Sequence, residues 1–405
     1  MRFCDLAQNL VIPDGHGYRM NRYQRWFQPY PKRKAPLREA TLITTSAELE
    51  TVASRLLQAD AVAVDTEFFW ERTFYPILGL VQLATRDHAC WLVDTVRVPD
   101  ISALGPVLET SAVTKVLHDA PQDLGILARA TGARTQRIFD TRLAAGFANL
   151  DSTSSLQNLL KQAMGVDIPK GETRSDWLRR PLTPNQLRYA ADDVVHLIPL
   201  RDKLLADCSD DEVRAWLHED LARLDVPATY QDRDPQLMYL RVKGANRLNT
   251  RQRAILRDLA AWREMEARRR DWPRGHVMPD ETLVSIACAA PADSHALASV
   301  PEFPRQMPES VRAGLLAAVN NGTSIPDAAC PPSVDGSQSR RTPKPRSDRL
   351  LAHIKSICAT RRIDPALVAS RSEADSYLLH LADGAPTEHP LEQGWRSRFV
   401  ASFTP

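Results

Sequence analysis

Apolar and polar positions change their period several times along this chain. Over residues 46–59, Leu49, Val52, Ala53, Leu56 and Leu57 recur at helical spacing behind Ser46, which reads as an N-cap. Residues 61–67, Ala-Val-Ala-Val-Asp-Thr-Glu, form a short valine-rich run that ends on carboxylates and predicts a buried strand. Two more strand-like runs, 77–84 and 89–93, flank the polar turn 85–88, so the stretch from 61 to 93 predicts an antiparallel meander. Then strands and helices alternate: a helix at 101–110, a strand at 115–118, a helix from Pro121 and a strand at 137–140. Such alternation implies parallel neighbours. The expected first domain is a mixed α/β sheet, meander plus parallel strands, with helices on both faces.

Residues 141–164 continue as helix, and 167–181 form a polar loop containing Trp177. Thr183, Pro184 and Gln186 mark a capped helix start, predicted to run to Leu205 with a kink at Pro199. The second half is helical in pattern, at 250–270, 280–289, 293–298 and 309–320. Residues 323–347 are rich in Pro, Ser and Arg and read as a flexible linker. From 348 to 403 helical periodicity returns, with Leu350, Leu351, Ile354, Ile357, Tyr377, Leu378 and Leu381, as a diverged repeat of the first helical module. The expected organisation is an N-terminal extension at 1–40, an α/β domain at 41–210, a connecting segment at 211–240, a small all-α domain at 241–322, the linker, and a second all-α domain at 348–405.

A length of 405 residues supports this division into several domains, and 43% hydrophobic with 25% charged residues is a globular composition. The net charge of +2 points to no partner, but its distribution does. Residues 41–210 carry about 17 basic and 22 acidic side chains, whereas the first forty are basic by about five and the C-terminal half has arginine clusters. That asymmetry suggests nucleic acid. Cys4, Cys90, Cys208, Cys288, Cys330 and Cys358 are far apart with no Cys-x-x-Cys, which argues against zinc and a disulfide framework and suits the cytoplasm. No apolar run has the length of a membrane span, the N-terminus lacks a signal-peptide core, and no Gly-x-x-x-x-Gly-Lys-Ser/Thr loop calls for a nucleotide cofactor.

The chemistry gathers around carboxylates. Asp65 and Glu67 are two apart on a strand, hence on one face, where their like charges call for a cation with oxygen ligands. Asp123 opens the helix after 118–122, and Tyr189 and Asp193 share a helix face beside the small Ala190 and Ala191. Four carboxylates and a phenol suit two Mg²⁺ or Mn²⁺ ions, the pair that clamps the attacking and leaving oxygens of a phosphoryl displacement. In this reading Asp65 bridges both ions, Glu67 and Asp193 hold the one that activates water, and Asp123 holds the other through water. Tyr189, a phenol with an ordinary pKa near 10, aims the water rather than deprotonating it.

Asp65-Thr66-Glu67, Leu80-Val81-Gln82-Leu83, His118 with Asp123, and Tyr189-x-x-x-Asp193 together resemble the motifs of the DEDD 3′-5′ exonucleases, in the branch with tyrosine in the third motif. Arg174-Ser175-Asp176-Trp177-Leu178, Arg180-Pro181-Leu182 and Phe139-Asp140-Thr141 are similar to the ribonuclease D family in particular. The helical modules resemble the HRDC domain, the first through 261–271 and the second, more weakly, through Gly394-Trp395-Arg396. The resemblance implies a ribonuclease H-like exonuclease domain followed by two HRDC-like domains. It implies hydrolysis of RNA from the 3′ end to nucleoside 5′-monophosphates, with tRNA precursors and other structured RNAs with single-stranded 3′ ends as substrates. It also implies two divalent ions at Asp65, Glu67, Asp123 and Asp193. Asp119 and Asp192 are rival acids beside the motif positions. A DNA-directed exonuclease of the same fold and a non-catalytic RNA-binding scaffold are the competing readings.

Several side chains carry two readings. Phe68, Leu80, Gln82 and Trp177 line the pocket of the terminal nucleotide or pack the core. His118 contacts substrate or fills a polar gap. Asp140 reads as structural. Arg263, Arg268, Arg269, Arg270 and Arg274 contact phosphates or form a solvated helix face.

Overall fold

The computed structural model describes residues 40–331, 344–383 and 388–404, apart from 170, 173 and 305. The predicted extension 1–40, save its last residue, and the stretch 332–343 of the predicted linker lie outside the described residues.

Strand β1 (Thr41–Ile43) leads to helix α1 (Ser46–Leu56), then β2 (Ala61–Phe69), β3 (Ile77–Thr85), β4 (Cys90–Asp94), α2 (Gly105–Glu109), β5 (Thr114–Leu117), α3 (Pro121–Thr131) and β6 (Ile138–Asp140). The six strands form one sheet in the order β1-β4-β3-β2-β5-β6. β2, β3 and β4 are the antiparallel meander; β1 joins β4, β5 joins β2 and β6 joins β5 in parallel. β1 was not foreseen: three residues, of which only Ile43 is buried, are too short to show an alternation. The cap of helix α1 is Thr45, one residue before the expected Ser46, which is instead the first helical residue. Thr45 is extended, accepts the Glu48 N–H, and receives the Glu48 carboxylate on its own N–H in a capping box.

The period of two divides the sheet into two apolar faces. Val62, Val64, Val81, Leu83 and Val93 pack against α1, α2 and α3. Ala61, Ala63, Leu80, Ala84 and Leu92 face α4 (Thr141–Phe147), α5 (Leu156–Met164), α6 (Pro184–Val195), α7 (Leu197–Asp207) and α8 (Asp211–Leu224). The single helices expected at 141–164 and 183–205 are each two. Asn149 takes a positive φ of 60° between α4 and α5. α6 stops at Val195 because the Pro199 ring meets the carbonyl four residues back, and α7 restarts at Leu197. The expected connector at 211–240 begins with α8, whose Trp216 and Leu217 are core residues.

A separate apolar cluster, including Leu256, Leu259, Leu283, Ile286 and Leu315, organises α9 (Thr250–Arg270), α10 (Arg274–Val277), α11 (Asp280–Ala289), α12 (Ser294–Ala298) and α13 (Glu309–Ser324). Helices α14 (Lys344–Arg361) and α15 (Arg371–Asp383) and the turns after them instead share the core of the α/β domain through Leu350, Ile354, Trp395 and Phe399. The Trp395 ring stacks on Trp216 at 5.5 Å, and Trp395 Nε1 and Arg396 donate to buried Asp220 at 3.0 and 2.8 Å.

One contact fixes the polar loop before α6 to the sheet. Asp94, 1% exposed at the end of β4, accepts from Arg180 Nε at 2.8 Å and Nη2 at 2.7 Å. The same guanidinium donates to the Trp177 and Gly79 carbonyls at 2.7 and 2.8 Å. Gly79 permits this approach, since a Cβ there would lie 2.6 Å from the Trp177 carbonyl oxygen. Replacing Asp94 by Ala strands a buried guanidinium, a loss of about 3–5 kcal/mol. The expected outcome is a lowered unfolding midpoint together with faster proteolysis of the 167–181 loop; an unchanged midpoint in urea would show that the pair contributes nothing.

Candidate active site

β5 pairs with β2 only along Ala61–Ala63, so β2 runs on without a strand neighbour on that side. Asp65 and Glu67 lie on this free stretch, opposite Gln82 and Leu80 of β3, both pointing to the face that α6 covers. Both are half-buried. α6 supplies the third acid. The carboxylate oxygens of Asp65, Glu67 and Asp193 lie within 4.8 Å of one another.

The local sequence of α6 explains how Asp193 arrives there. Thr183 and Gln186 form a capping box with Pro184 in the first turn, and the Gln186 amide reaches the Asp176 carbonyl at 3.4 Å. Ala190 and Ala191 are buried, so the helix lies close against the sheet. Tyr189, one turn before Asp193, hydrogen-bonds its carboxylate and packs on Trp177 with ring centroids 6.1 Å apart.

The fourth predicted acid is outside this group of three, although its charge is the first to bear on Asp65. Asp123 lies in the first turn of α3, on the other side of the sheet, and is buried. Thr66, between the two β2 acids and pointing the opposite way, donates its hydroxyl to Asp123 Oδ1. The sequence reading passed over Thr66. Its signal was a lone hydroxyl on the strand face otherwise given to valine. The rival Asp119 is exposed and paired with Arg142, and Asp192 is not among the three converging acids. Asp140 is structural: it caps α4 and accepts the N–H groups of Asp119 and Ala120 at 3.1 and 2.9 Å, which shapes the turn into α3.

Crowding and burial make these acids reluctant to ionise. Burial, then the charges of Asp123, Asp193 and Glu67, hold Asp65 well above the usual carboxylate range. Burial, then Asp193 and Asp123, push Glu67 up to about 9. Burial raises Asp193 to about 7, opposed by the Tyr189 hydrogen bond, and Asp123 to about 7, opposed by Thr66. The Tyr189 phenol is pushed up by burial and then by Asp193, Glu67 and Asp65, so it stays a donor at working pH. An all-oxygen set of this kind, ionised only at a cost, suits a hard divalent cation.

The remaining candidates are less open. Leu80, Gln82 and Trp177 are fully buried, and Phe68 is half-buried. Among the described residues, neither amide atom of Gln82 has a hydrogen-bond partner. His118 is held internally: Nε2 lies 3.2 Å from the Ser154 carbonyl, and Nδ1 lies 3.0 Å from the Thr141 hydroxyl, which donates its own proton to the Leu117 carbonyl at 3.0 Å. Burial lowers its pKa, consistent with a neutral ring. The arginines are paired with carboxylates: Arg263 with Asp280, Arg268 and Arg274 with Glu264, Arg269 and Arg270 with Glu266.

Comparison with known proteins agrees with this geometry. A 3′-5′ exonuclease domain matches residues 40–208 and an HRDC domain matches residues 252–319. Ribonuclease D of Desulfotalea psychrophila is 37% identical over 367 residues, covering 91% of this chain and 98% of that protein. The chain belongs to the ribonuclease D family. Ribonuclease D of Escherichia coli is 30% identical over 89% of this chain and 96% of its own. The crystal structure of E. coli RNase D, described as an exoribonuclease involved in structured RNA processing, superposes with a TM-score of 0.76 at 30% identity over the same shares. The mixed sheet is therefore the ribonuclease H-like exonuclease sheet of a 3′-5′ exoribonuclease, a divalent-metal-dependent family, with an HRDC domain and a helical C-terminal region after it. No helix among the described residues is long and apolar enough to cross a membrane.

The raised carboxyl pKa values give a pH signature to the metal-free ribonuclease D fold. In the unfolded chain these acids ionise near pH 4, whereas in the folded chain Asp193 holds its proton to about 7 and Glu67 to about 9. The folded state binds more protons between those limits, so stability is full below pH 4 and falls as pH rises to about 9. In EDTA, Asp193→Asn should melt close to wild type at pH 5 and above it at pH 8.5, and Mg²⁺ or Mn²⁺ should raise the wild-type midpoint most at the higher pH. A variant that melts below wild type at pH 8.5 contradicts the charge crowding.

Proposed function

We propose that this chain removes nucleotides one at a time from the 3′ ends of RNA by two-metal-ion hydrolysis, releasing nucleoside 5′-monophosphates. The observation that carries the reading is the meeting of Asp65, Glu67 and Asp193 within 4.8 Å, with Tyr189 bonded to the last of them. Asp65, Glu67 and Asp193 would hold one divalent ion, and Asp65 with Asp123 a second. When bound, such ions supply Lewis acidity: they polarise the phosphate and make water a nucleophile at neutral pH. Tyr189 keeps its proton and orients that water by donation or acceptance at its hydroxyl. Thr66 holds the Asp123 carboxylate in one orientation. Trp177, buried behind Tyr189, fixes the phenol ring. The substrate class is structured RNA, which the E. coli relative's description as an exoribonuclease involved in structured RNA processing supports, and within it we place RNAs with a single-stranded 3′ end, tRNA precursors above all.

Nucleotide release from single-stranded RNA should stop in EDTA and return with Mg²⁺ or Mn²⁺, while Asp65→Asn and Asp193→Asn lose orders of magnitude in turnover and stay folded. A circular RNA should resist, and the matching DNA strand should be the poorer substrate. Full activity in EDTA sinks the metal mechanism; rapid cutting of the circle makes the enzyme an endonuclease; a preference for DNA moves the substrate.

Tyr189→Phe separates aiming from packing. It keeps the ring on Trp177 and removes only the hydroxyl. Turnover should fall by about 10²-fold, at the lower end for positioned proton-handling groups, with KM little changed. Weaker binding at unchanged turnover would instead make Tyr189 a substrate contact.

A further inference from the structure

The hairpin tip between β2 and β3 is joined to the end of α9. The Tyr75 N–H donates to the Asp271 carboxylate at 2.9 Å, and the Tyr75 hydroxyl donates to Asp232 at 2.7 Å. The Arg129 guanidinium lies 3.3 Å from the Tyr75 ring centre, and Arg274 covers the buried Phe74 ring at 4.5 Å. Each side of this joint holds a tryptophan open to solvent. Trp70 is 53% exposed, and its Nε1–H donates to the Phe74 carbonyl at 3.1 Å, so the indole is fixed with its polar edge satisfied. Trp272 follows Asp271, is 47% exposed, and has the Arg270 guanidinium 5.2 Å from its ring centre. Tryptophan is seldom left this open on a folded surface. Trp70 lies three residues beyond Glu67, about 10 Å along an extended chain. Arg72, exposed beside it, has no ion-pair partner among the described residues.

We infer that Trp70 and Trp272 are stacking platforms for single-stranded RNA upstream of the nucleotide being removed, with Arg72 beside the backbone. The inference rests on the exonuclease reading above and extends it from the terminal nucleotide to the strand behind. Aromatic faces take any base, so the track grips sequence without reading it. The HRDC domain, joined to the hairpin through Tyr75 and Asp271, supplies the second platform and lengthens the track.

The test compares hydrolysis of a 5′-labelled oligoadenylate of about 12 nucleotides, a length that spans such sites, with that of the dinucleotide ApA by the full chain. Trp70→Ala and Trp272→Ala should each raise KM for the long RNA by about tenfold or more at unchanged turnover. ApA, too short to reach the platforms, should be cut as by wild type, and Trp70→Phe and Trp272→Phe should restore most of the loss. Wild-type KM on the long RNA in both alanine variants overturns the inference. So does an equal loss on both substrates, which marks damage to the site, or sedimentation in which wild type dimerises and the alanine variants do not, which assigns the surface to a second copy. Quenching of tryptophan fluorescence by the long RNA in EDTA separates the two readings. Quenching that is lost in the alanine variants, in a wild type that releases no nucleotide with metal, leaves the track standing and removes the hydrolytic reading.

Discussion

The ion pair between Asp94 and Arg180 decides where α6 begins, and α6 brings Asp193 and Tyr189 to β2. Asp94 belongs to the same sheet as Asp65 and Glu67, so Arg180 references the incoming loop to the strands that carry the other two acids. Its remaining donors take the Trp177 and Gly79 carbonyls, which locks the loop backbone over β3. The capping box at Thr183 then sets the first turn of α6, and the helix period sets the direction of the Tyr189 and Asp193 side chains. A buried charge pair is weak evidence for stability in itself. Here it serves as a positional reference, and a packed apolar contact would hold the loop with less definite register.

That reference is needed because the acids oppose their own assembly. Asp123, Asp193 and Glu67 each raise the cost of ionising Asp65, Asp123 and Asp193 do the same to Glu67, and burial adds to it. Left to relax, like charges would separate. The strand holds two of them at a fixed spacing, Thr66 holds the third from behind the sheet, and Tyr189 holds the fourth by a hydrogen bond. The fold thus keeps these carboxylates together at an energetic disadvantage, of the kind a divalent cation would remove.

Much of this was legible in sequence because it follows local rules. Alternation put Asp65 and Glu67 on one face, the cap and the Tyr-x-x-x-Asp spacing marked α6, and the period of two gave the meander. What escaped depends on contacts distant in the chain. β1 exists only because β4 offers it an edge. Nothing local shows that Thr66 meets Asp123, 57 positions on, or that Arg180 finds Asp94, 86 positions back. Trp177 had two readings in the sequence, and its burial behind Tyr189 is likewise a product of the loop's anchoring. The C-terminal helices carry an ordinary amphipathic pattern, which does not reveal that their apolar side closes on Trp216 of α8.

The arginines of α9 show why a basic run is a poor guide to nucleic-acid contact. Glu264 is 1% exposed and is held by both Arg268 and Arg274, so neither can turn to a phosphate without stranding a buried carboxylate. Arg263 is similarly committed to Asp280 and to the Met278 carbonyl. Arg269 is different: 67% exposed on Glu266, it is in the kind of pair that contributes only about 0–1 kcal/mol and can be traded for a phosphate at little cost. A helix that neutralises most of its own charge offers few counterion-releasing contacts, which agrees with a net charge of only +2 over the whole chain. A single strand held along this face would then owe its affinity mainly to apolar and aromatic surface, and its binding would weaken with salt far less than the count of arginines suggests.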